Sequence, residues 1–206
     1  MRIEAEGLTK TFNRRVIFRD VSFALGIHQV LRVVGRNGSG KSTLVKIVAH
    51  TLSPTRGSVA FRTESSGAAG ESPQRLIGLV SPYLQMYDEF SAYENLELGS
   101  RIRGLRPVNE RMETLLSMVG LFARRHDAVR TYSSGMKQRL KYAFALVHTP
   151  PVLILDEPMA NLDAEGMDIV RRIMEEQRRE GILIVATNDL NDLDSFDFQI
   201  DLNATH

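Results

Sequence analysis

The chain has 206 residues, a length that fits one domain with an insertion, and carries 26 basic against 25 acidic side chains for a net charge of +1. A composition of 43% hydrophobic and 25% charged residues is that of an ordinary globular protein and excludes disorder, collagen and coiled coil. The even charge balance argues against a general nucleic-acid binder, and the absence of cysteine removes disulfides, thiolate metal sites and thiol nucleophiles.

The opening MRIEAEGLTKTF lacks the apolar core of a signal peptide, and no apolar run long enough to span a bilayer occurs anywhere. A cytoplasmic setting is therefore expected. The first third reads as strands and turns, with Ile3, Val16, Ile17, Phe18, Val21, Phe23 and Leu25 broken by Gly7, Asn13 and Gly26. Residues 28–34 (HQVLRVV) form a short apolar run before Gly35, as suits a strand buried on both faces of a parallel sheet. A glycine-rich turn and a helix over 41–50 follow, then a strand over 58–62 and a small, polar loop over 63–74. A strand resumes over 76–80.

The middle, 88–149, is helical, with apolar residues at three- and four-residue spacing over 92–103, 108–119 and 134–147. Residues 152–155 (VLIL) form a second fully apolar strand. A helix with Ile169, Val170, Ile173 and Met174 on one face comes next, then the strand 182–186 (ILIVA) and a last strand over 198–202. Strands alternating with helices predict an α/β fold with a parallel sheet.

Three motifs carry chemistry. Gly35-Arg36-Asn37-Gly38-Ser39-Gly40-Lys41-Ser42, followed by Thr43, fits the phosphate-binding pattern GxxxxGK[ST]. Its glycines let successive N–H groups point inward as an anion nest, and the helix from Lys41 adds the positive end of its dipole. Lys41 is placed to reach the β- and γ-phosphates and Ser42 to ligate Mg²⁺. Asp156 and Glu157 stand at the end of the 152–155 strand, on the sheet edge where ligands collect. Asp156 is placed to hold Mg²⁺, and Glu157 is the candidate general base for water attack on a γ-phosphate. Alone, an acidic pair ending a strand reads better as a cap; the phosphate loop upstream reverses that reading. Ser133 or Ser134 is a good N-cap for the helix that follows, and the same turn, with Gly135, offers a second anion site.

Together these residues resemble the nucleotide-binding subunit of an ATP-binding-cassette (ABC) transporter, over essentially the whole chain. Residues 35–42 resemble the Walker A motif and 152–157 Walker B with its glutamate. Tyr132-Ser133-Ser134-Gly135-Met136 is similar to the signature, and Asn161-Leu162-Asp163 to the D-loop. The resemblance implies one P-loop NTPase domain of ABC type over 1–206, with a mixed sheet, an antiparallel β edge and an inserted helical lobe. The core would span about 1–87 and 150–206, and the lobe about 88–149. It implies ATP and Mg²⁺ as cofactors. ATP would contact Asn37, Gly38, Ser39, Gly40, Lys41, Ser42 and Thr43, with Phe12 stacked on adenine and Val16 against base and ribose. Ser133, Ser134 and Gly135 would act on the nucleotide of a partner in a head-to-tail dimer, a homodimer or a pair with a second ABC subunit. A separate membrane-spanning subunit is the implied transport partner, with the chain peripheral at the inner face of the cell membrane. An exporter similar to the haem exporter of cytochrome c biogenesis is one such type. No nucleic-acid partner is expected.

The sequence departs from the family in three places. Asn188 stands where the switch histidine is expected; it can hydrogen bond to phosphate but cannot titrate near neutral pH, so slow hydrolysis is expected. Pro82 occupies the Q-loop glutamine position, and Gln85 can substitute as a metal contact or be an exposed loop residue. Ser134 and Met136 replace a glycine and a glutamine of the signature. The stretch 83–93, with Tyr83, Leu84, Met86, Tyr87 and Phe90, would touch a transporter subunit. Two alternatives stand beside the transport reading: a weakly hydrolysing regulatory module, and a non-transport ABC ATPase acting on ribosomes or DNA.

Overall fold

The computed structural model describes residues 1–62, 73–193 and 195–203. Strand β1 (Arg2–Phe12) and strand β2 (Arg15–Gly26) form an antiparallel hairpin. Its two-residue turn puts Asn13 (φ 45) and Arg14 (φ 67) in the left-handed region, as a tight hairpin turn requires. The chain turns again at His28 (φ 69), where the Gly26 N–H donates to Gln29 Oε1 at 2.7 Å. For that reason β3 is confined to Val30–Val34 instead of starting at residue 28. Helix α1 (Lys41–Val48) follows, then β4 (Arg56–Arg62), which pairs with the free edge of β1.

The polar loop expected over 63–74 lies outside the described residues as far as 72; Pro73 opens the short helix α2 (Pro73–Leu76). Strand β5 (Ile77–Val80) leads to three helices close to the expected spans, α3 (Ala92–Ile102), α4 (Asn109–Met118) and α5 (Ser134–Leu146). Ser91 and Glu94 close a reciprocal capping box at the start of α3. Strand β6 (Val152–Asp156), helix α6 (Ala164–Glu180), β7 (Ile182–Thr187) and β8 (Phe198–Asp201) complete the described chain.

Two sheets result. The antiparallel strands stand in a sheet of their own, ordered β2-β1-β4, beside a five-stranded parallel sheet ordered β5-β6-β7-β3-β8. Every residue of β6 and β7 is buried, as their continuous apolar runs predict. Side chains alternate along these strands, and that alternation divides the core. Val152, Ile154, Ile182 and Ile184 pack with Leu44, Val45 and the antiparallel sheet. Leu153, Leu155, Leu183 and Val185 pack with α3, α4, α5 and the Ile169–Val170–Ile173–Met174 stripe of α6. Each such side chain contributes about 1.5–3 kcal/mol on burial. The same alternation points Asp156, two residues beyond Ile154, to the α1 face. Among the described residues no helix is long and apolar enough to cross a membrane.

Candidate active site

The C-terminal ends of β3, β6, β7 and β8 are neighbours in the sheet, and each delivers part of one cleft. After β3 the chain curls through Gly35–Gly40. Gly40 (φ +105) caps α1, and a Cβ there would meet Ile17 Cγ2 at 2.5 Å, so only glycine fits the turn against the hairpin. The cleft beside the loop, about 470 Å³, is lined by Arg36, Asn37, Gly38, Ser39 and Asn203. Lys41 is only 5% exposed. Its ammonium donates to the Gly35 carbonyl at 2.8 Å and pairs with Glu157 Oε1 at 3.2 Å.

Asp156 is completely buried, and neither carboxylate oxygen completes a hydrogen bond. Burial pushes its carboxyl above the usual range; the nearby Ser42 hydroxyl opposes this, the Glu157 charge adds to it and Lys41 opposes it. The Ser39 hydroxyl is likewise buried without a partner. Orphaned polar atoms of this kind are few in a finished interior and call for an explanation, of which a bound ligand is one. The set fits a hard divalent cation beside an anion. Asp156 and Ser42 supply oxygen donors; Lys41 and the loop supply positive charge. Among the described residues no group of three or more His, Cys, Asp or Glu could hold a metal on its own.

Glu157 takes a left-handed backbone (φ 51), and its N–H donates to the Ala186 carbonyl at 2.8 Å. Asn188, after β7, donates its backbone N–H to Glu157 Oε2 at 3.4 Å and its side-chain amide to Asn37 Oδ1 at 3.2 Å. The structure therefore gathers Asn37, Lys41, Glu157 and Asn188 into one bonded group, with Asp156 and Ser42 beside it. The turn holding Asn188 is braced by Thr187, whose hydroxyl donates to Asp192 Oδ2 at 2.5 Å. Burial pushes the Asp192 carboxyl up, against the pull of that hydrogen bond.

Two contributors escaped the sequence reading. Asn203, just past β8, accepts the Arg36 N–H at 3.0 Å, so the last strand braces the phosphate loop. Its one signal was a short polar residue at the C-terminal end of a strand. Asp192 carried none, because its role depends on how the short turn after β7 folds back on Thr187.

The base-binding candidates lie on the hairpin. Phe12 is 45% exposed at the end of β1, with Lys10 Nζ 4.7 Å from its ring centroid. Val16, half-buried, pairs with Thr11 across the hairpin; Ile17 and Phe18 pack by Gly40, which brings this end to the loop.

The other predicted residues gather around α5. Ser133 caps the helix, its hydroxyl accepting the Met136 N–H at 3.2 Å, and Ser133 and Ser134 remain exposed. Gly135 sits under the Asn161 carbonyl, where a Cβ would lie at 3.4 Å. Asp163 caps α6 by accepting the Gly166 N–H at 2.8 Å. Gln85 lines a groove with Ser134, Lys137, Lys141 and Asn161, separate from the loop cleft, and no hydrogen bond joins it to Ser42 or Asp156. Around that groove Lys137 pairs with Asp88 at 2.8 Å, and Tyr83, Tyr87 and Phe90 stay exposed.

Comparison with known proteins agrees with this geometry. Residues 18–160 match the family model described as ABC transporter. The uncharacterized ABC transporter ATP-binding protein YxlF of Bacillus subtilis is 34% identical over 92% of this chain, which spans 63% of that relative's length. The lantibiotic transport ATP-binding protein SrtF of Streptococcus pyogenes is 32% identical over 91% of this chain and 80% of its own length. A solved ATP-binding subunit of an ABC transporter superposes with a TM-score of 0.80 and 26% identity, covering 93% of this chain and 81% of that one. With the phosphate loop, the buried acid and the signature turn in this arrangement, the chain belongs to the ABC transporter family of ATP-binding proteins.

Proposed function

We propose that the chain binds and hydrolyses ATP and, by ATP-driven head-to-tail pairing, energises a separate membrane-spanning transport subunit. One observation carries this reading: Lys41, Glu157 and the unpartnered Asp156 meet in a single cleft beside the glycine-rich loop. Lys41 leaves Glu157 for the β- and γ-phosphates as nucleotide binds. Glu157, freed of its cation, accepts a proton from a water whose oxygen bonds to the γ-phosphorus while the bond to the β-phosphate oxygen breaks. Asn188 donates a hydrogen bond to the γ-phosphate but cannot take up or give up a proton near neutral pH, so turnover is slow. Bound Mg²⁺, held by Ser42 and Asp156, would neutralise charge on the β- and γ-phosphates. Phe12 and Val16 offer an exposed ring and an aliphatic edge to the base.

The helices α3–α5 act as a lobe, 88–149, that presents Ser133, Ser134 and Gly135 to the partner's nucleotide, with Asp163 ordering the adjoining loop. A helix N-terminus and exposed hydroxyls there suit an anion supplied from outside the chain. The exposed Tyr83, Tyr87 and Phe90 suit docking on a membrane subunit, which supports a position at the inner face of the membrane. Export as the direction rests on the resemblance to exporter subunits alone. The test is a MgATP titration of the parent and of Lys41→Ala, with light scattering of Glu157→Gln. Binding lost in Lys41→Ala and a dimer formed by Glu157→Gln with MgATP support the reading; binding unchanged in Lys41→Ala overturns it.

A further inference from the structure

Helix α5 reaches the candidate base from behind through Tyr142. The side chain is fully buried. Its phenol donates to the carbonyl of Pro158 at 2.6 Å, a short bond in a dry environment. Pro158 immediately follows Glu157, and a proline has no N–H, so its carbonyl is the only backbone group by which it can be anchored. Burial pushes the Tyr142 phenol up, out of any working pH range, so it remains a donor throughout. Gln138, buried one turn earlier on α5, contributes a hydrogen bond to the same phenol.

The turn it holds needs holding. Glu157 is neither glycine nor asparagine, yet has φ 51, a conformation that costs roughly 1–2 kcal/mol. It also precedes a proline, which narrows its backbone choices further. Such a conformation persists only where neighbours over-determine it. Upstream the anchor is the Glu157 N–H on Ala186 at 2.8 Å. Downstream, the Ala160 N–H reaches the Glu157 carbonyl only at 3.2 Å, and the firm contact is Tyr142. We propose that Tyr142 is a positioning residue that clamps the Glu157–Pro158 turn and so ties the helix bearing the Ser133–Gly135 signature to the aim of the candidate base. Its part in hydrolysis rests on Glu157 being that base; the clamp itself does not.

The test is Tyr142→Phe in the full chain, which removes one oxygen. Amide hydrogen exchange at Glu157 and Ala160 is expected to rise about ten-fold, as for loss of one buried hydrogen bond, while the amides of β7 keep their protection. Phosphate release is expected to fall about ten-fold in kcat with KM for MgATP unchanged, because the base is misaimed and the loop cleft is untouched. If Tyr142→Phe does not fold, Gln138→Met, which keeps the phenol but removes its second partner, is expected to raise exchange at the same two amides. Unchanged exchange there, a uniform rise across β6 and β7, or a raised KM at constant kcat overturns the proposal. If exchange responds while the parent releases no phosphate, the hydrolysis reading falls and the clamp stands.

Discussion

The buried, unpartnered carboxylate of Asp156 makes a sharp prediction for Asp156→Asn. Without nucleotide that carboxylate is fully buried, and the Ser42 hydroxyl and the Lys41 and Lys46 charges only partly offset its desolvation, so it destabilises the fold it serves. A buried polar group left unsatisfied costs about 1–3 kcal/mol, and more when charged. The isosteric amide removes the charge and can donate to neighbours. At roughly 2–4 °C per kcal/mol for a domain of this size, the midpoint of thermal unfolding should rise by about 2–12 °C. The sign with pH follows from the raised carboxyl: the folded state binds the proton more tightly than the unfolded one. Stability in the parent is therefore greatest below the unfolded value near 3.8 and declines as pH rises through the folded value. That slope should disappear in the variant. Mg-dependent ATP should add about 2.7 kcal/mol to the parent at one hundred times its Kd, and little to Asp156→Asn. Scanning calorimetry with and without MgATP reads all three. A variant that melts lower than the parent and keeps the full MgATP increment would refute the reasoning.

Other outcomes follow from the same geometry. Asn188→His should raise steady-state ATPase above the parent, because it restores a group that can exchange a proton beside Glu157; a drop in phosphate release contradicts this. Ser133→Ala should lower stability by about 1 kcal/mol through loss of the α5 cap, yet abolish ATP-driven pairing, read by melting and light scattering together. Burial, helped by Arg103, lowers His148 to about 4, so it is neutral when folded. Stability should be full above pH 6.5 and fall by up to ~3 kcal/mol as pH drops toward 4, and His148→Gln should flatten that limb in acid-unfolding titrations.

Much of this was legible in the residues because it is local. The run VLIL before Asp156 and Glu157 announces a fully buried strand, and the loop of glycines before Lys41 announces a nest, whatever surrounds them. The ends of α1, α3, α4 and α5 were readable within a residue or two, and Ser133 is a cap written in the chain. What stayed hidden depends on sequence-distant partners. Nothing near Asn203 says that it will hold Arg36, and nothing near Tyr142 says that it will hold Pro158. The antiparallel edge was legible through the family resemblance, whereas its strand order was not: that order is decided by which faces pack, and alternation along β1 alone does not name its neighbours. Gln85 was open to two readings, a metal contact or an exposed loop residue, and it lines the α5 groove, a neighbourhood that depends on how the lobe packs.

The central claim is that this one cleft hydrolyses ATP with Glu157 as base. The direct measurement is phosphate release from MgATP by the parent and by Glu157→Gln at matched nucleotide occupancy. The account predicts slow but measurable release by the parent and a loss of about 10²-fold or more in the variant at unchanged ATP affinity. Equal release by the two proteins would contradict it.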